Sequence, residues 1–252
     1  IAVMPKTTSP KKISAIEHRG GICRLVDNPA TVTKVAQALA KECHGHFMDQ
    51  FTYAERATDW RGNNNIAESI FHQLSKEPHP IPTWVVVGAG TGGTSATIGR
   101  YIRYQQAKTK LCVVDPENSA FYDGYTNNNP AATVDAGSRI EGIGRPCMEA
   151  SFIPQTIDEM IKVPDAASLS AMHILAELLG RRPGGSTGTN FYGVLQLAQE
   201  MIRSGQTGSI VTLICDDGSR YSDTYYNPQW LAENKLNTRQ YDTEIKDMLS
   251  LN

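Results

Sequence analysis

The chain is organised around Thr83–Arg100, TWVVVGAGTGGTSATIGR. Trp84, Val85, Val86 and Val87 form an unbroken apolar run, the pattern of a strand buried on both faces of a parallel sheet. Gly88, Gly90, Gly92 and Gly93 crowd the turn that follows, and Thr94–Gln106 reads as a helix with Ile98 and Ile102 on one face. A glycine-rich turn between strand and helix gathers backbone N–H groups and the positive helix end onto one spot. Such a spot binds phosphate.

Which phosphate is open on the spacing alone. Gly88, Gly90 and Gly93 fit G-x-G-x-x-G, and Asp115 ends the next strand, Leu111–Val114, about 22 residues on, where a dinucleotide site places its ribose-binding acid. Two details point instead to a compact monophosphate. At least three element pairs precede this turn, whereas the dinucleotide fingerprint sits at the first strand of its domain. Thr91 and Thr94 also add hydroxyls to the turn.

The rest of the chain alternates. Strands are expected at Ile1–Met4, Ile22–Val26, His46–Gln50, Met160–Val163 and Ser209–Cys215. Helices are expected from Pro10 to Arg19 after an N-cap at Ser9, and at Thr31–Glu42, Asn65–Leu74, Ala166–Leu179, Thr189–Arg203 and Glu244–Leu251. Phe51–Asn63 reads as a connecting loop, and Pro116–Pro154 as a long irregular stretch of the kind that carries function. Strand and helix in alternation mean an α/β fold with a mostly parallel sheet.

With 252 residues, 40% hydrophobic and 20% charged, the composition is that of an ordinary globular protein. A net charge of −2 without a basic stripe gives no reason to expect nucleic acid or an anionic membrane. No apolar run approaches the roughly 20 residues of a membrane span. Five scattered cysteines read as reduced thiols of a cytoplasmic protein. Cys43, His44 and His46 lie in a turn with no partner cluster, so no metal is expected. The other histidines lack a spaced nucleophile and carboxylate for a hydrolase triad. Asn63, Asn64 and Asn65 read as a helix cap.

Three further stretches carry chemistry. Glu141-Gly142-Ile143-Gly144-Arg145-Pro146 brackets an isoleucine with glycines, which lets backbone approach something flat. Gly184-Gly185-Ser186-Thr187-Gly188-Thr189 opens a helix with small residues around the Ser186 hydroxyl. Cys215-Asp216-Asp217-Gly218-Ser219-Arg220-Tyr221 follows the carboxyl end of a core strand, the edge where open α/β sheets bind ligands.

In this order the motifs IAVMPKTTSPKKISAIEHRGG, VGAGTGGT, EGIGRP, GGSTG and DDGSRYSDTYY resemble the fold type II pyridoxal-phosphate (PLP) enzymes of the cysteine synthase and cystathionine β-synthase family, over essentially the whole chain. QFTYAERATDWRGNNNIAESI and SRYSDTYYNPQWL are most similar to its bacterial L-cysteine desulfhydrases. The resemblance implies that Gly90, Thr91, Gly92, Gly93 and Thr94 hold the 5′-phosphate of pyridoxal phosphate and that Ser186 faces the ring nitrogen. Gly142, Ile143 and Gly144 are expected near cofactor and substrate, with Asp217 substrate-proximal. Residues 1–50 would belong to a smaller mobile domain and 51–252 to the larger phosphate-binding domain, in a homodimer. The implied reaction is β-elimination on L-cysteine through an aminoacrylate, giving sulfide, pyruvate and ammonia. Alternatives are β-replacement by a cysteine synthase or cystathionine β-synthase, and a non-catalytic ligand-binding fragment. A dinucleotide oxidoreductase remains as a reading of the glycines alone.

The family's Schiff-base lysine, and its loop for the substrate carboxylate, belong upstream of the strand at Ile1–Met4. Lys6, Lys11 and Lys12 do not match the lysine's motif, so no catalytic lysine is expected in this chain. The expectation is that a further segment of about 80–110 residues precedes Ile1, the size needed to complete two layers.

Overall fold

A computed structural model describes residues 1–28, 31–62 and 64–250, divided into two compact units, Ile1–Asp49 and Gln50–Asn252. The first holds β1 (Ala2–Pro5), α1 (Pro10–Glu17), β2 (Cys23–Val26) and α2 (Val32–Glu42), with β1 and β2 parallel and Ala2 opposite Cys23. Ser9 caps α1 as expected, its hydroxyl accepting from the Lys12 N–H at 3.4 Å, with Pro10 in the first turn. Of this unit's described residues only Val26 is buried. The strand expected at His46–Gln50 does not form. His44 and Asp49 take left-handed φ values of 50° and 40°, which no extended ladder accommodates, and Gln50 opens a short helix, α3 (Gln50–Tyr53). The expected loop at Phe51–Asn63 is therefore partly helical, with a 3-10 turn at Ala54–Arg56.

The second unit is built on β3 (Trp84–Gly88), β4 (Lys110–Pro116), β5 (Glu159–Val163) and β6 (Ile210–Thr212), all parallel, in the order β5-β4-β3-β6. Val85, Val86 and Val87 are at most 1% exposed, because successive side chains enter opposite layers. Val85 and Val87 pack with Ile70 of α4 (Ile66–Leu74), Ile98 and Ile102 of α5 (Gly93–Tyr104), and Phe121 of α6 (Ala120–Thr126). Val86 and Trp84 pack with Ala167 of α7 (Asp165–Leu179), Leu197 of α8 (Gly185–Arg203) and, beyond α9 (Pro228–Glu233), Ile245 of α10 (Arg239–Ser250). Asn65 caps α4, accepting from the Glu68 N–H at 2.9 Å. Asn63 and Leu251 lie outside the described residues.

Other boundaries moved for identifiable reasons. Helix α8 begins four residues before Thr189, so Gly185 and Gly188, read as a turn, are helical, and Gly184 is the N-cap. A methyl group at Gly188 would strike the Ser168 carbonyl and lie 2.6 Å from the Met172 Cβ, so this glycine permits close packing on α7. Strand β6 ends at Thr212, because the Cys215 N–H turns to the Thr187 hydroxyl at 2.9 Å instead of a strand neighbour. The long stretch after Pro116 contains α6, capped by Ser119. Among the described residues no helix is long and apolar enough to cross a membrane.

Asp115 is completely buried at the end of β4 and accepts the Tyr122 N–H of α6 at 2.8 Å. Burial pushes its carboxyl up to about 7, against the opposing pull of the Ser119 hydroxyl and the Tyr122 N–H. A carboxyl raised on folding contributes stability that is complete below its unfolded pKa near 4 and is lost as pH rises through about 7. Asp115→Asn keeps an acceptor for Tyr122 and removes the titration. Unfolding free energies from urea titrations at pH 4 to 8 should therefore fall less steeply in the variant, by an amount on the order of 3 kcal/mol over the window.

Candidate active site

Strand β3 lies between β4 and β6: the chain passes from β3 to β4 and β5 on one side and crosses back through α7 and α8 to β6 on the other. In open parallel sheets the crevice at the carboxyl ends of such strands is where ligands bind. Here it is a cavity of about 450 Å³, within the ordinary range for small-molecule sites.

One wall is the turn from β3 into α5. Gly92, at φ 87°, stands at the N-cap of α5, where a methyl group would lie 2.6 Å from the Phe152 Cα. A methyl group at Gly90 would run into the Gly142 carbonyl oxygen, and one at Gly93 would meet the Ala54 carbonyl at 2.9 Å. Each glycine therefore admits a different stretch of backbone. The Thr91 hydroxyl accepts the Gly93 N–H at 3.2 Å, and the Ser151 hydroxyl donates to the Thr91 carbonyl. Thr94 is exposed in the first turn of α5, where N–H groups have no intrahelical partner and the helix end is positive. Behind the turn, Arg100 of α5 bonds the buried Glu55 carboxylate, and Arg56 joins it. Burial alone would raise the Glu55 carboxyl; the two guanidinium groups bring it below its usual range.

The second wall is a strap, Glu141–Gly144. Gly142 and Gly144 have φ of 90° and 76°, left-handed values that glycine takes without strain. The Gly144 N–H donates to the Ala89 carbonyl at 2.8 Å, tying the strap to the turn. From the other side, the Tyr225 hydroxyl accepts the Glu141 N–H at 2.8 Å and donates to the Arg139 carbonyl at 2.7 Å. Burial pushes that hydroxyl up to about 12, so it keeps its proton. The Arg139 guanidinium is held by Asp165 and Glu117, each at 2.7 Å.

The third wall is the start of α8 and the chain after β6. Ser186, 6% exposed, and Asn190, 1% exposed, lie one helical turn apart and line the cavity with Cys215 and Asp216. The Asp216 carboxylate accepts the Tyr221 hydroxyl at 2.6 Å.

Of the residues expected at the site, Gly90, Thr91, Thr94, Gly142, Ile143 and Ser186 line the cavity. Gly92 and Gly93 lie behind its wall, and Gly144 lines an adjoining cavity of about 380 Å³ on the far side of the strap. Asp217 does not reach the cavity. It is exposed, and its carboxylate accepts the Ser219 N–H at 2.8 Å, capping a turn at Gly218–Tyr221; the neighbouring Asp216 takes the inward place. The dinucleotide alternative loses its acid, since Asp115 is buried against α6 and lines neither cavity. No lysine is among the residues lining the cavity. An anion-binding turn, a glycine strap bare of side chains and a lone hydroxyl opposite suit a small flat ring carrying one phosphate. Asn190 escaped the sequence reading, whereas Asp216, Tyr221 and Tyr225 fell within stretches marked there without a role of their own. Placing the start of α8 at Gly185 would have put Asn190 on the face of Ser186, four residues on.

The family of pyridoxal-phosphate dependent enzymes matches residues 1–216. The chain is 56% identical to the L-cysteine desulfhydrase Cds1 of Mycobacterium tuberculosis over 94% of its own length and 64% of that protein's. It is 33% identical to a putative pyridoxal-phosphate dependent protein of Caenorhabditis elegans over 92% of its length and 59% of the relative's. Cystathionine beta-synthase of Apis mellifera is 25% identical over 98% of the chain and 50% of that protein. The chain thus spans less than two thirds of each of these relatives. Glycine turn, strap and buried serine all fall within the matched residues, and the chain belongs to the pyridoxal-phosphate dependent enzyme family.

Proposed function

We propose that the complete protein is a cytoplasmic, homodimeric lyase that eliminates the sulfur of L-cysteine as sulfide, leaving pyruvate and ammonia. The observation that carries this reading is the arrangement of the phosphate-type turn and Ser186 on opposite walls of one cavity at the sheet's switch point. The 56% identity to a protein named an L-cysteine desulfhydrase supports the choice of substrate. Residues 51–252 form the larger cofactor-binding domain in this reading, and residues 1–50 part of the smaller one.

When bound, pyridoxal phosphate supplies a conjugated ring that takes up negative charge from the substrate's α-carbon. The N–H groups and hydroxyls of Gly90–Thr94 hold its phosphate through charge-assisted bonds at a positive helix end. Ser186 orients the ring nitrogen. A neutral hydroxyl, unlike a carboxylate, does not enforce a positive nitrogen, which suits brief charge storage with a departing β-substituent. The strap, carried on Gly142 and Gly144, would lie against the bound ring and limit the access of water to it. Asp216 takes the place near the substrate expected of Asp217, with Tyr221 donating to it.

Incubating the complete protein with L-cysteine should release sulfide and pyruvate in equal amounts. Thr91→Ala should weaken pyridoxal phosphate binding by about tenfold, the worth of one hydrogen bond to a charged group. Sulfide release without pyruvate, in the presence of an added thiol, would mark β-replacement instead.

Gly90→Ala and Gly142→Ala should behave differently. At Gly90 the methyl group meets backbone that cannot rotate away, so the strap shifts and cofactor binding is lost. At Gly142 nothing lies within 4 Å, so the cost is the left-handed backbone alone, about 1–2 kcal/mol, read as a lower melting temperature with binding largely kept. Cofactor titration and thermal melts of both variants check this.

A further inference from the structure

Asn190 sits on α8 one turn beyond Ser186, 1% exposed, on the cavity wall. Its amide nitrogen donates to the Leu213 carbonyl at 3.2 Å and faces the Cys215 sulfur at 3.7 Å. This fixes the amide's orientation, since the flipped form would set two oxygens against each other at Leu213. The remaining oxygen, Oδ1, is buried and has no donor among the described residues. Gly88 lies beside it on the cavity wall: a methyl group there would lie 3.4 Å from Oδ1 and 2.9 Å from the Ile143 Cγ2. Asp216 Oδ1 also has no donor among the described residues, but it lies against Gly184, where a methyl group would run into it. A buried acceptor left without a donor is destabilising. At Asn190 the missing donor can come from the occupant of the cavity or from a water held beside it.

We propose that Asn190 is a further ligand-binding residue, its Oδ1 accepting a hydrogen bond from one water that also bonds the bound ring beside Ser186. The proposal rests on the reading of this cavity as the pyridoxal phosphate site. It assigns the two ends of one amide separate tasks. The nitrogen fastens the chain after β6, and the oxygen reads the ligand.

The test is Asn190→Leu in the complete protein, with pyridoxal phosphate as the titrant. Affinity should fall by about tenfold, the worth of one hydrogen bond. The unfolding midpoint without cofactor should hold, because removing a buried unmet acceptor offsets the lost amide bonds. The increase in midpoint on saturation should shrink. Equal drops in both midpoints with unchanged affinity would mean a purely structural residue and overturn the proposal. If the leucine variant does not fold, Asn190→Ala, which adds no bulk, is read by the same criteria. Thr91→Ala separates the two levels of the argument. If it weakens binding while Asn190→Leu does not, the role of Asn190 alone falls; if neither weakens binding, the cavity assignment falls with it.

Discussion

The approach of the Gly142 carbonyl to Gly90 is the contact on which the site depends. Two backbone segments meet there, one from the turn after β3 and one from the middle of the long stretch between β4 and β5, and neither has a side chain to spare. Backbone against backbone leaves no rotamer to absorb an error, so the geometry is set by φ values and a few hydrogen bonds. Gly144 to Ala89, Glu141 to Tyr225, and the left-handed φ at Gly142 and Gly144 define it almost completely.

Behind this contact the protein is stiff for different reasons on each side. The turn is backed by α5 and by the Glu55–Arg100 ion pair, in which a buried carboxylate is held below its usual pKa by two guanidinium groups. Removing one partner of such a pair is costly because the other stays buried. The strap is backed by Arg139, Asp165 and Glu117 and by the stacked rings of Tyr221 and Tyr225, 4.7 Å apart. The cavity therefore lies between two supports that share no residue.

Much of this was legible in the sequence because it is local. The run Trp84–Val87 can only be a strand with both faces covered, and Ser9-Pro10 and Asn65 announce their helices by side-chain chemistry within one turn. Gly142 and Gly144 announced a backbone bare enough to come close to something flat. What failed was non-local. The glycines of Gly184–Gly188 look like a turn, and only distant neighbours make them a packing surface: Asp216 at Gly184, Tyr225 at Gly185, and Ser168 and Met172 of α7 at Gly188. Asp216 and Asp217 are adjacent, and which one faces inward is decided by a capping bond to Ser219. Asn190 is an unremarkable helix residue until Leu213, distant in sequence, claims its amide nitrogen.

The tyrosine pair has a consequence for how the molecule can be divided. The residues that match the family end at 216, whereas the hydroxyl that grips both Arg139 and Glu141 belongs to Tyr225. A polypeptide trimmed at the limit of family likeness would retain all the glycine motifs and forfeit the buttress beneath the pocket's roof. Recognition signature and mechanical integrity thus have different borders, and the nine residues from Asp217 to Tyr225 separate them.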